Sequence, residues 1–181
     1  TWKAAARFKT MDDKLALRGS ASTGFRAPSL HQIYMSNIQT LISGGTVSNQ
    51  GTFNNQRAVV RSLGVPKLKE ENANNYSFGL TFKALDGLSL SLDMYSVQVD
   101  DRIVYSSSIA SSDTTSAVGA ILNDYNVTSI KFFTNAVSTT TSGIDFVGTY
   151  SGLELGPGVL NLSLGFNQNK TVLGDEINTP T

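Results

Sequence analysis

The chain contains no cysteine at all. Disulfide frameworks, thiolate zinc sites and cysteine nucleophiles are therefore excluded, and no redox compartment is demanded. Its single histidine, His31, rules out an internal pair of histidine metal ligands, and no Ser-His-Asp order stands in a supporting motif. Charge is scarce: 15% of residues are Asp, Glu, Lys or Arg, against roughly 25% in ordinary globular domains. The 14 basic and 14 acidic residues cancel, leaving no electrostatic footprint for nucleic acid. Long hydrophobic runs are missing too. Nothing approaches the ~18 to 20 apolar residues of a membrane-spanning helix, and "TWKAAARFKT" has no apolar signal-peptide core.

What is present is alternation. In "GLSLSLDMYSV", Leu88, Leu90, Leu92 and Met94 fall on one face of an extended chain, and Ser89, Ser91, Asp93 and Tyr95 on the other. "NYSFGLTF" sets Tyr76, Phe78, Leu80 and Phe82 against Ser77, Gly79 and Thr81. "VLNLSLGF" sets Leu160, Leu162, Leu164 and Phe166 against Asn161, Ser163 and Gly165. Weaker versions occur in "LALRGSA" and "GIDFVGTY". Together these predict an all-β chain, an antiparallel meander of about six long strands.

Alternation by itself suits any half-buried antiparallel sheet. The connections separate the cases. "TMDDK" (10–14), "ALDG" (84–87) and "LELGPG" (153–158) are short, whereas about 27–75, 105–130 and everything from about 170 onward are long. Consecutive antiparallel strands reverse direction, so all short turns fall at one end of the sheet and all long loops at the other. This is the asymmetry of outer-membrane barrels. Apolar residues are then expected to face lipid. The polar face, charged only at Arg18, Lys83, Asp93 and Asp145, is expected to line a wet or plugged lumen. Trp2, Phe25, Tyr76, Phe82, Phe132, Phe133, Tyr150 and Phe166 are candidates for the interfacial aromatic girdles.

Three blocks in order carry a family resemblance: Gly24-Phe25-Arg26-Ala27-Pro28-Ser29-Leu30, "LKEENANNYSFGLTF" (Leu68–Phe82) and "FFTNAVSTTTSGIDFVGTY" (Phe132–Tyr150). They resemble the barrel of TonB-dependent outer-membrane receptors, the second block matching its Leu-Lys-Pro-Glu segment with Glu70 in the proline position. In the first block, Pro28 removes a ladder donor and ends the strand, and a short helical turn is expected to follow.

The resemblance implies that residues 1–181 are part of a barrel of about 22 strands, without the plug domain and without closure. A first residue other than Met and the tail "GDEINTPT" fit a chain cut from something longer. It implies an active-transport receptor in the outer membrane of a Gram-negative bacterium. Such a receptor binds a scarce nutrient or metal chelate (ferric siderophore, cobalamin or haem) outside the cell and draws energy from the TonB complex through the plug. No catalysis, resident metal or cofactor is expected, and an isolated piece, its lipid face bare, is expected to self-associate. A soluble β-sheet adhesion or structural module, and a passive porin, are the alternative readings.

Ligand contacts are expected on the extracellular side, at Arg26, His31 and Tyr34. Arg26 is a candidate for an anionic ligand, the alternative being a rim arginine that hydrogen-bonds loop carbonyls. His31 is weighed as a haem ligand, because haem-uptake members carry a histidine downstream of this block, against an ordinary polar loop residue. The stretch from Tyr34 to Arg61, rich in Gly, Asn, Ser and Thr, is expected to be a mobile loop. "SAVGAILNDY" (Ser116–Tyr125) is expected to form a short helix. Asp100 and Asp101 are weighed for calcium and disfavoured, since adjacent strand residues point to opposite faces.

Overall fold

A computed structural model describes residues 1–174. In chain order the elements are β1 (Lys3–Thr10), β2 (Leu15–Arg26), α1 (Leu30–Tyr34), β3 (Ser36–Ser43), β4 (Thr46–Phe53), α2 (Ala58–Ser62), β5 (Glu71–Leu85), β6 (Leu88–Tyr105), β7 (Ile109–Ala110), α3 (Ala117–Asp124), β8 (Ser129–Lys131), β9 (Phe133–Leu155) and β10 (Gly158–Leu173). Among the described residues, no helix is long and apolar enough to cross a membrane, which leaves strands free to do so. The six long strands form one sheet in the order β1-β2-β5-β6-β9-β10, and β3-β4-β8-β7 form a second. Contacts group the described chain into two compact units. The first comprises Thr1–Phe25, Asn72–Val99 and Thr139–Gly174; the second comprises Arg26–Glu71 and Asp100–Ser138.

In the first unit the expected alternation holds. Register sets Leu17 opposite Phe8 and Arg18 opposite Arg7, so apolar and polar residues segregate to opposite faces across β1 and β2. On β9 and β10, Phe146 faces Phe166 while Asp145 faces Asn167. The apolar face stays open to the surroundings, with Phe78, Met94, Leu162, Leu164 and Phe166 between 40 and 67% exposed. A water-soluble sheet of this length would cover that stripe.

The polar face is internally cross-linked. Arg18 Nε donates to Asp93 Oδ1 (3.0 Å), Arg18 Nη1 to Thr81 Oγ1 (3.3 Å) and Arg18 Nη2 to Ser91 Oγ (3.2 Å). The Ser20 and Ser77 hydroxyls meet at 2.8 Å. Gly79 is needed here, because a Cβ at that position would overlap both the Arg18 guanidinium and the Asp93 carboxylate.

The short turns lie where the sequence places them. Met11, Asp12 and Asp13 are all left-handed (φ 56, 50 and 66°), and the Lys14 N–H donates to the Met11 carbonyl. Gly87 turns between β5 and β6 at φ 83°, its carbonyl accepting the Ser151 N–H at 2.9 Å.

The long connections are shorter and more structured than expected. The first ends at residue 70, because β5 begins at Glu71 and not at Tyr76. Inside it, the expected mobile stretch folds into the β3–β4 hairpin. Gly44 and Gly45, at φ 58 and 78°, supply the two left-handed residues of a two-residue hairpin turn, and Ile38, Thr40, Ile42, Thr46 and Val47 flank it. The polar composition hid a hairpin. The second long connection contains β7, β8 and the expected helix α3, capped by Ser116 Oγ accepting the Gly119 N–H (3.0 Å). Beyond β10, which runs to Leu173, most of the third expected loop lies outside the described residues.

The second unit holds its own hydrophobic cluster: Phe53 from β4, Val59 and Val60 from α2, Val65, Leu122 from α3, Val127, Ile130 from β8, and Phe132. Burying a side chain of this kind stabilises by about 1.5–3 kcal/mol. Phe132, at 1% exposed, belongs to this cluster and not to an aromatic girdle. Phe133, the first residue of β9 after the break at residue 132, packs on Tyr105.

A lipid-facing position and a polar-face position should respond differently to charge. Leu92→Arg in full-length receptor is expected to destabilise insertion into lipid vesicles by about 2–4 kcal/mol, read from the folded fraction across a urea titration. Ser163→Arg, on the opposite face of the sheet, is expected to stay within about 1 kcal/mol of the parent. Equal losses at the two positions would contradict the facing.

Candidate functional site

The "FRAPS" block is built by three local devices. β2 ends at Arg26, Pro28 prevents its continuation, and Ser29 opens α1 with a capping box. Ser29 Oγ accepts the Gln32 N–H (3.3 Å) and Gln32 Oε1 accepts the Ser29 N–H (2.9 Å), the reciprocal pattern of Ser-x-x-Gln. The helix carries His31 and Tyr34, three residues apart.

Among the described residues, Arg26 bonds a carboxylate and not a loop carbonyl. Its guanidinium forms a two-pronged ion pair with Glu71, Nε donating to Oε2 at 2.7 Å and Nη2 to Oε1. Glu71 Oε1 also accepts the Ile103 N–H at 2.7 Å. One carboxylate thus ties the end of β2, the start of β5 and the upper part of β6. The Glu71 side chain is 8% exposed and that of Arg26 is 55% exposed. The Arg26 hydrogen bond, more than the opposing cost of burial, holds the Glu71 carboxyl below its usual range, with the Ile103 N–H adding to the effect. The same bond raises the already basic Arg26.

A second brace lies beside it in sequence. Lys69 Nζ pairs with Asp101 Oδ2 at 2.8 Å, and Asn135 Nδ2 donates to the carbonyls of Lys69 (3.0 Å) and Asp101 (2.7 Å). Asp101 is left-handed at φ 57°, which breaks strict alternation in β6 at this point. Among the described residues, no group of three His, Asp or Glu side chains gathers for a metal.

His31 stands edge-on to Phe133, ring centroids 6.1 Å apart at 71°. Phe133 lies 5.1 Å from Tyr105, and Lys131 Nζ sits 5.7 Å from the Tyr105 ring centroid. The Tyr105 hydroxyl bonds the Thr52 hydroxyl at 2.7 Å. The result is a partly exposed row of aromatic faces with a cation at one end, suited to stacking and to holding a flat or anionic group, not to bond making. Tyr34 is 67% exposed. Of the three expected residues, then, His31 joins the aromatic row, Arg26 is paired with Glu71, and Tyr34 is open.

Sequence reasoning passed over Glu71, Tyr105, Lys131 and Phe133. Glu71 carried a signal, as the glutamate of the Leu-Lys-Pro-Glu segment. The aromatic row carried none, since its members lie up to 102 positions apart in the chain and only folding gathers them.

The ion pair predicts an acid-sensitive brace. A carboxyl depressed in the folded state contributes stability that is complete above its unfolded value of about 4.3 and is lost as pH falls through the folded value. Glu71→Gln is expected to cost about 2 kcal/mol at neutral pH and to flatten the acid limb of thermal unfolding. Retention of the parental acid limb in the variant would contradict this role.

The family model described as TonB dependent receptor-like, beta-barrel matches residues 1–180. The siderophore receptor PirA from Pseudomonas aeruginosa superposes with a TM-score of 0.50 at 16% identity, covering 94% of this chain and 29% of that one. The siderophore receptor PirA from Acinetobacter baumannii gives 0.49 at 18% identity, covering 92% and 23%. At such identities the likeness to the first speaks of fold alone, and the chain spans less than a third of the length of either. A comparison with curated proteins finds no match. With six long antiparallel strands, an open apolar face, a cross-linked polar face and a family match across residues 1–180, the chain belongs to the TonB-dependent receptor β-barrel family.

Proposed function

We propose that the chain is part of an outer-membrane receptor of a Gram-negative bacterium that captures a scarce nutrient outside the cell and imports it with energy supplied by TonB. The observation that carries this reading is the family match over residues 1–180. The segregation of short turns from a structured second unit supports it, since ligand contacts in such an architecture fall to the elaborated loops. An iron chelate is the favoured cargo. Its support is twofold: the row His31, Phe133, Tyr105 and Lys131 offers aromatic faces beside a cation, and the similar structure from Pseudomonas aeruginosa is a siderophore receptor. Arg26, 55% exposed although paired with Glu71, and Tyr34, an exposed aromatic, are further residues available to a ligand.

The active-transport reading is tested in cells carrying the full-length receptor as their sole route for a panel of radiolabelled ferric chelates. Uptake is expected to fall to background when TonB is deleted, and the receptor is expected in the outer-membrane fraction. Uptake that persists without TonB would point to a passive porin. Recovery in the soluble fraction would end the membrane reading.

A further inference from the structure

The four-stranded sheet of the second unit has two edges, β3 and β7. β7 is two residues long, too short to template a partner strand. β3 is eight residues long, and Ser36–Ile42 are all exposed. Exposed edges in natural proteins are blunted by charge, proline, a bulge or shortness. "SNIQTLIS" has no charge and no proline, and it pairs with β4 from Ser36↔Phe53 to Ser43↔Thr46 in unbroken register. Among the described residues, none of these protections is present.

The edge also has a defined apolar face. Phe53 enters the hydrophobic cluster. Residues alternating from it on β4 are Gly51, Asn49 and Val47, and their partners on β3 are Ile38, Thr40 and Ile42, so all share one face. Ile38, Ile42 and Val47 are 50, 75 and 57% exposed. The face that begins in the core thus runs on, uncovered, toward the hairpin tip.

We propose that β3 is a docking edge for β3 of a second copy of this chain, the two strands pairing antiparallel about a two-fold axis at Thr40. Such an axis, perpendicular to the sheet, requires opposed residues to share a face. Centred on Thr40, it sets Thr40 against Thr40, Ile38 against Ile42 and Gln39 against Leu41. Each isoleucine of the apolar row meets an isoleucine, and the two rows join into one strip with both Val47 side chains. Sliding the register by two residues sets Ile38 or Ile42 against Thr40 and breaks the strip. The absence of charge on the strand removes the repulsion that like pairing would otherwise incur. This self-complementarity favours a second copy over an unrelated strand, and it is independent of which nutrient the receptor carries.

An eight-residue strand pair spans about 27 Å and is small beside interfaces of about 1,200–2,000 Å², so the test keeps the receptor in its membrane. Full-length receptor in outer-membrane vesicles, free of other cysteines, carries Thr40→Cys, Ile38→Cys or Gln39→Cys and is treated with a short homobifunctional thiol crosslinker. Directly opposed side chains place their Cβ atoms about 4.5–5.5 Å apart. Thr40→Cys is therefore expected to give a covalent dimer in at least about fivefold higher yield than either neighbour. Co-expressed Ile38→Cys and Ile42→Cys copies are expected to crosslink to each other. Adding Ile42→Lys to Thr40→Cys is expected to abolish the dimer. No dimer, equal yields at 38, 39 and 40, crosslinking to a different protein, or a yield unchanged by Ile42→Lys would each overturn the proposal.

Discussion

A strand that crosses hydrocarbon finds no water for its amides and carbonyls, so every backbone group must be met by the next strand. That requirement organises the six-stranded sheet. It explains why strands such as β6 and β9 run to 18 and 23 residues, far beyond the ~5–6 of ordinary globular proteins. It also explains why pairing continues strand by strand; between β9 and β10 the register shifts between Leu160 and Leu162. The sheet keeps its apolar side for lipid and has little need of an internal core. Cohesion on the other side comes from polar groups satisfying each other, as Arg18, Asp93, Thr81 and Ser91 do. Arg18 and Asp93 are 48 and 36% exposed, so the pairing orients the side chains more than it stabilises the sheet.

In the proposed receptor the second unit answers to a different solvent. There its segments are ordered in water, through the hydrophobic cluster around Phe53, Leu122, Ile130 and Phe132. Irregular connections of this length pay a large conformational entropy unless they bury something. Helices α2 and α3 with strands β4 and β8 give the chain the means to do so. Glu71 adds direction to that burial, fixing the ends of β2 and β5 and the Ile103 amide to a single carboxylate.

Legibility from sequence followed this division of solvents. Period-two alternation is a local signal, so Leu88 to Tyr95 announced both a strand and its facing. Turn chemistry at Asp12-Asp13, Gly87 and Gly156 was readable for the same reason. The helix after Ser116 could be read because its cap and apolar spacing lie within ten residues. The hairpin at Gly44-Gly45 was missed because the surrounding Ser, Thr and Asn suggested a solvated loop, although two glycines between β-branched residues are themselves a hairpin signal. Phe132, near a strand end, suggested a girdle aromatic, yet it lies in the break before β9 and is buried in the second unit's cluster. Glu71 shows the limit most clearly. Its chemistry depends on Arg26 and Ile103, 45 and 32 positions away, and no pattern in the chain pairs them.

The cluster of the second unit lies wholly within Arg26–Glu71 and Asp100–Ser138. It draws no member from the six-strand unit whose alternation suits it to lipid. In the proposed receptor, substitutions in the hairpin and along the aromatic row would leave that alternation untouched, so what is recognised could change while the strands that hold the protein in its membrane stay as they are.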